Sequence, residues 1–167
     1  MKDRLPARIY FSTLLEINNI LGNNSNPVEQ FTQIFKAMKK IVPFDLLSIY
    51  NFKKDINKLE LIFNCGRPKT VVESVNFKLG KGGTWHAVKT RKPYLIKNNP
   101  DPDKPTISSF TAIPILFQEE LIGVLSLGLY GNYAYQKLDI ILAKIITSAL
   151  TNLLIFLRSY ADSSNES

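Results

Sequence analysis

Near the C-terminus, Ile140 to Leu157 is apolar at most of its 18 positions, about the minimum length for crossing a bilayer core. Lys144, Thr147, Ser148, Thr151 and Asn152 interrupt the run, and a lysine at bilayer depth is costly. At helical spacing Leu138, Leu142, Ile145, Ala149, Asn152 and Phe156 form one stripe with steps of three and four, the pattern of a packing seam. Ile141, Ile146, Leu150, Leu153 and Leu157 form a second apolar face. A helix on a single sheet can bury one such face, and the N-terminal helix covers part of the remainder. The excess predicts a parallel two-fold homodimer through the terminal helices, with Asn152 setting register, and no membrane insertion.

The chain of 167 residues is 45% hydrophobic and 21% charged, which predicts one domain with a substantial core. Its N-terminus, MKDRLPARIYF, has no apolar run followed by a small-residue cleavage site, so a cytoplasmic protein is expected. One cysteine, Cys65, and one histidine, His86, cannot supply an internal disulfide framework or a structural zinc site. Thiol-disulfide turnover recruits a second thiol, and a nucleophile relay would have to use His86 alone. No enzymatic activity is expected. Cys65 would be reactive only beside a cation such as Arg67, and otherwise is an inert thiol.

The net charge is +7. Lys78, Lys81, Lys89, Arg91, Lys92 and Lys97 concentrate positive charge in one region, which either attracts phosphates or forms a solvated face. No helix-turn-helix, zinc finger or aromatic RNA platform accompanies it, so nucleic-acid binding is not expected.

Periodicity predicts helices over Ala7–Leu21 and from Pro27 to the approach of Pro43, the second capped by Asn26. Leu46 to Phe52 and Leu59 to Cys65 read as a hairpin, and Val71 to Leu79 as a third strand. Gly80-Lys81-Gly82-Gly83 opens a short helix over Thr84–Lys92 that Pro93 ends. Glycines before a helix could cradle an anion, but a tight strand-to-helix turn demands them in any case. Tyr94 to Ile96 is a short strand, Lys97 to Thr106 a proline-rich loop, Ser109 to Phe117 and Leu121 to Tyr130 a paired set of long strands. A last helix spans Tyr135 to Tyr160, and the polar tail Ala161 to Ser167 frays. The fold class is α+β.

Two stretches, GKGGTWHAVKTRKPYLI (Gly80 to Ile96) and SFTAIPILFQEELIGVLSLGL (Ser109 to Leu129), resemble the GAF domain family of small-molecule sensors. Tyr135 and Asp139 stand where that family often has Phe and Asp opening its last helix. The resemblance implies a GAF-like, PAS/profilin-like six-stranded antiparallel sheet, with the N- and C-terminal helices packed on one face and a ligand cavity on the other. Its organisation would be an N-terminal helix over 1–25, a GAF-like domain over 26–158 and a tail over 159–167.

Strand alternation within that frame puts Leu121, Leu125, Leu127 and Leu129, with Leu47 and Ile49, on the helix face. Ile122, Val124, Ser126, Gly128 and Tyr130, with Ser48, Tyr50 and Phe52, then floor the cavity. Trp85 and His86 on the inner helix either stack on and bond a planar ligand or are packing and solvent residues. With Ser109 and Thr111 of the long-strand motif, the expected ligand-binding set is Tyr50, Trp85, His86, Ser109, Thr111, Ser126 and Tyr130. The ligand would be small, planar or anionic, and no cofactor is named by these residues.

Three departures from family patterns matter. The proline-rich loop lacks the Cys-His pair of bilin-binding members. Free methionine sulfoxide reductases of the family use more than one cysteine, and carry acidic residues where this chain has Ser126 and Gly128. The Asn-Lys-Phe-Asp-Glu set of cyclic-nucleotide modules cannot be assembled from Asn132, Lys137 and Asp139. The expected function is a regulatory, signal-transducing sensor that acts with an output domain or partner signalling protein. The alternative is a ligand-free dimerisation module whose cavity is filled by Phe63, Phe77, Phe110 and Tyr130, and a lesser alternative is a free methionine sulfoxide reductase-like enzyme, disfavoured by the single cysteine.

Overall fold

A computed structural model describes residues 4–23, 25–66, 82–97 and 107–165. The elements are α1 (Ala7–Leu21), α2 (Pro27–Met38), β1 (Leu46–Lys53), β2 (Lys58–Cys65), α3 (Gly83–Thr90), β3 (Tyr94–Lys97), β4 (Ile107–Phe117), β5 (Glu120–Tyr130) and α4 (Lys137–Asn165). Local chemistry accounts for several boundaries. Asn26 Oδ1 accepts the Val28 N–H at 2.8 Å and Pro27 takes the first helical position, where its missing N–H costs nothing. α3 ends at Arg91, which enters the left-handed region (φ 55°) and donates its N–H to Ala87 O, so the stop comes before Pro93. α4 continues to Asn165, into the segment whose composition predicts fraying.

The strands form an antiparallel sheet in the order β2-β1-β5-β4-β3. Five strands are described; the expected strand over Val71 to Leu79 lies outside the described residues, as do Gly80 and the proline-rich loop from Asn98 onward. Gln118 and Glu119 join β4 to β5 with φ of 48° and 68°, the conformation whose twist matches a tight hairpin.

Alternation along the strands divides the apolar side chains into two layers. One holds Leu47, Ile49, Ile113, Ile115, Leu125, Leu127 and Leu129 together with Ile17 of α1, Phe31, Ile34, Phe35 and Met38 of α2, and Leu142, Ile146, Leu150 and Leu154 of α4. The other holds Tyr50, Phe52, Leu59, Ala112, Leu121 and Val124 together with Trp85 and Ala87 of α3.

Strict alternation fails at the start of β5. The pairing passes from Ile115 opposite Gly123 to Leu116 opposite Leu121, so Ile122 is an extra residue and the strand bulges there. Leu121 therefore joins the α3 layer and Ile122 the helix layer, the reverse of their expected sides. Phe63 also belongs to the helix layer, where its ring lies 5.9 Å from that of Phe31 and 5.3 Å from that of Phe35. It is thereby removed from any role in filling the α3 side.

The two stripes of α4 divide differently from the expected pair. Leu142, Ile146, Leu150, Leu153 and Leu154 are buried, while Leu138, Ile141, Ile145 and Phe156 are exposed, with Ala149 and Asn152 between them. At 3.6 residues per turn Leu142 aligns with Ile146 and Leu153, and Ile141 with Leu138 and Ile145. By length and composition Lys137–Ser159 is apolar enough to cross a membrane; its buried side chains here pack in the core.

The entry to α4 is fixed by Asp139. Its Oδ2 accepts the Gln136 N–H at 2.7 Å and the Tyr133 hydroxyl at 2.6 Å, satisfying a donor that the helix start leaves open. Burial first, and then Asp139, push the Tyr133 phenol above the ordinary tyrosine range. A raised phenol pKa stabilises the fold below the unfolded value of about 10 and loses that contribution as pH climbs further. Asp139→Ala is expected to lower stability by about 1–3 kcal/mol in urea unfolding. In the same variant Tyr133 should ionise at lower pH in an ultraviolet titration of the folded protein.

Candidate functional site

α3 lies against the sheet because its first residues have no bulk. Gly82 has φ +99°, and a Cβ on Gly83 would come within 2.5 Å of the Tyr94 ring and 2.7 Å of the Phe110 ring. Any side chain at Gly83 would lift the helix. This approach brings Thr84 and Trp85 onto the sheet. The Thr84 and Ser126 hydroxyls meet at 3.1 Å, both buried, and since either can donate, one of their two protons stays available.

Trp85 is 3% exposed, in the same layer as Tyr50, Phe52 and Val124. Among the described residues its indole N–H has no hydrogen-bond partner, as is also true of the buried Asn51 Oδ1 and Tyr135 hydroxyl. A buried donor in that state costs about 1–3 kcal/mol, so it marks a place where an acceptor is missing.

Of the expected set, Tyr50, Trp85 and Ser126 come together beneath α3. His86 points outward and is exposed, its ring 4.7 Å from that of Tyr94, because the helix turns it away from the sheet side that Trp85 occupies. Tyr130 ends β5 at 38% exposure, its N–H donating to Asp45 Oδ2 at 2.8 Å. Ser109 and Thr111 lie on the other face, opposite Leu129 and Leu127. Their hydroxyls serve the backbone: Thr111 Oγ1 donates to Tyr94 O at 2.9 Å, and Ser109 Oγ to Ile96 O at 3.3 Å. Thr84 was not in the expected set. Its signal, a hydroxyl one helical step from the glycine turn, acquires meaning only once Ser126 lies beneath it.

Among the described residues of this layer no charged side chain is buried; Asp139, the buried charge elsewhere, belongs to the entry of α4. Lys89, Arg91, Lys92 and Lys97 are exposed, while Lys78 and Lys81 lie outside the described residues. Cys65 is half-buried and packs against the helix layer, away from Trp85. Burial pushes its thiol up, against the smaller pull of the Lys39 charge, which leaves little thiolate at neutral pH.

A family model described as GAF domain matches residues 26–154. None of the curated proteins compared with the chain matches it. Among solved structures, the chain is similar to the GAF domain of a phosphoenolpyruvate-protein phosphotransferase from Coxiella burnetii, at 16% identity and TM-score 0.77 over 95% of this chain and 99% of that one. The corresponding domain from Acinetobacter gives 14% identity and TM-score 0.73 over 92% and 97%. Free methionine-R-sulfoxide reductase from Neisseria meningitidis, solved with its substrate, gives 14% identity and TM-score 0.70 over 93% and 95%. At these identities the likeness is one of fold.

Proposed function

Because the chain belongs to the GAF domain family, we propose that it is a non-enzymatic, cytoplasmic sensor that holds a small molecule beneath α3 and reports it through a homodimer of its terminal helices. The observation that carries this reading is the unpartnered Trp85 N–H, buried beside Tyr50 and near the Thr84–Ser126 pair. A planar molecule bearing an acceptor oxygen or nitrogen would satisfy it while its apolar body meets the indole and phenol rings. Among the described residues no charged side chain is buried there, which favours an acceptor without net charge over the anion that the sequence also allows, since an unpaired buried charge is costly.

The dimer reading is supported by the exposed stripe of α4. Leu138, Ile141, Ile145 and Phe156 run along about 27 Å of helix, and Phe11 and Leu15 of α1 are 72% and 60% exposed. A second copy laid along the stripe would cover it, with Asn152 in the seam. An output domain or partner signalling protein would then read the pairing of the helices.

The collapsed alternative keeps one observation in its favour: Tyr50, Phe52 and Trp85, with the partly buried Phe110, already occupy the α3 layer. A reductase reading draws on the Neisseria relative. Sulfoxide reduction by thiols needs attack on the sulfur and a second thiol to close the cycle, and the chain has one cysteine, placed on the other face.

Native mass spectrometry of the purified protein should reveal a co-purifying small molecule. Trp85→Phe, which keeps an aromatic ring but deletes the N–H, should weaken its binding by about threefold to tenfold. Unchanged affinity would place the ligand elsewhere, and a chain that carries nothing supports the collapsed module. Incubation with free methionine sulfoxide and a dithiol reductant should give no turnover at enzymatic rates; sustained turnover overturns the non-enzymatic reading. Sedimentation at about ten micromolar should show a dimer, converted to monomer by Ile145→Glu.

A further inference from the structure

We propose that Ser109 is a positioning residue, the joint through which a change beneath α3 reaches α4; this rests on reading the α3 site as sensory. The Ser109 hydroxyl is fully buried and has both of its capacities committed. Its proton goes to Ile96 O at 3.3 Å, and its oxygen accepts the Tyr135 N–H at 3.2 Å. One oxygen thus bonds an edge strand and the segment that leads into the C-terminal helix.

Each end of that bridge connects onward by direct contact. Tyr135 is 1% exposed and directly precedes Gln136, whose N–H is held by Asp139. The Tyr135 amide therefore sits where the chain turns into α4. At the other end, Ile96 belongs to β3, a four-residue strand at the sheet margin that carries an exposed Leu95. Tyr94 opens the same strand, and its ring is the surface against which Gly83 is packed without room for a Cβ. A ligand that raises α3 must relieve or press that contact, and β3 is the strand with least to hold it. The Ser109 hydroxyl follows Ile96 and releases the Tyr135 amide, loosening the first turn of α4.

Thr111 supplies the internal control. Its hydroxyl secures the same strand, through Tyr94 O at 2.9 Å, but the bond reaches no further. Loss of Thr111 loosens β3 alone, whereas loss of Ser109 loosens β3 and the entry of α4 together.

The test uses the full chain without ligand and reads amide hydrogen exchange over residues 135–140, with β1 amides as the reference for global opening. Tyr94→Leu removes the ring beneath Gly83 and substitutes for ligand movement. In the Ser109 background it should accelerate exchange over 135–140 by about fivefold relative to β1; in the Ser109→Ala background it should add less than about twofold. Thr111→Val alone should change that segment by less than about twofold, and Ser109→Thr, which keeps the hydroxyl, should restore the response to Tyr94→Leu. Equal acceleration in the Ser109 and Ser109→Ala backgrounds overturns the proposal. So does an unresponsive α4 in the Ser109 background, a measurement that stands even if Ser109→Ala fails to fold. A negative result here leaves ligand binding intact, and a chain without a co-purifying ligand leaves this coupling intact, so the two readings fail separately.

Discussion

Burial of β5 on both of its faces is the constraint from which the arrangement follows. From Leu121 to Leu129 every residue is buried, and only Glu120 and Tyr130 at its ends reach solvent. Its two edges are occupied by β1 and β4, so the strand has no direction left for water. Leucines can fill one face without further conditions. The other face carries Ser126, and a hydroxyl in that position needs a partner or costs more than its neighbours return. Thr84 is that partner. One serine in the middle of the sheet thus fixes where α3 lies, and Gly83 permits the approach.

The sequence made much of this legible. α1 is read to the residue, Asn26 and Pro27 announce α2, and the motifs around Gly80–Ile96 and Ser109–Leu129 carry the family. What was not legible has identifiable physical causes. Alternation is a local rule, and it cannot see a bulge created by the register of a partner strand, which is why Leu121 and Ile122 exchange sides. A helix with apolar residues on most of its surface does not declare its buried side; contact with α1, α2 and the sheet selects Leu142 and releases Ile141. Ser109 and Thr111 look like pocket hydroxyls in sequence because small polar residues in a strand invite that reading. Their position opposite Leu129 and Leu127 puts them on the far face, bonded to backbone carbonyls.

The two sides of the sheet also differ in their electrostatics. No charged side chain is buried on the α3 side among the described residues, whereas the helix side gathers Tyr133, Tyr135 and Asp139 near the start of α4. Burial and the nearby carboxylates Asp139 and Asp45 push the Tyr135 phenol above the ordinary tyrosine range. The protonated Tyr133 phenol and the Asp139 carboxylate make a fixed pair, because proton loss would place a second negative charge beside the first. Asp139 holds the helix entry in place through Tyr133 and Gln136, while the buried Tyr135 hydroxyl, like the Trp85 N–H on the α3 side, has no hydrogen-bond partner among the described residues.

A sheet whose central strand is satisfied in every direction can change shape only at its margins, since any displacement of β5 would break contacts in both layers at once. β3 is such a margin: four residues long, at the sheet edge, with Leu95 at 40% exposure. Its side-chain anchors come from Ser109 and Thr111 on β4, and its Tyr94 ring underlies the first turn of α3. β2 is the other margin of the described sheet, and of the two it is β3 whose Tyr94 ring touches the first turn of α3. The same constraint that makes the core rigid assigns the movable role to β3, and the Ser109 hydroxyl makes the entry of α4 the neighbour that must respond.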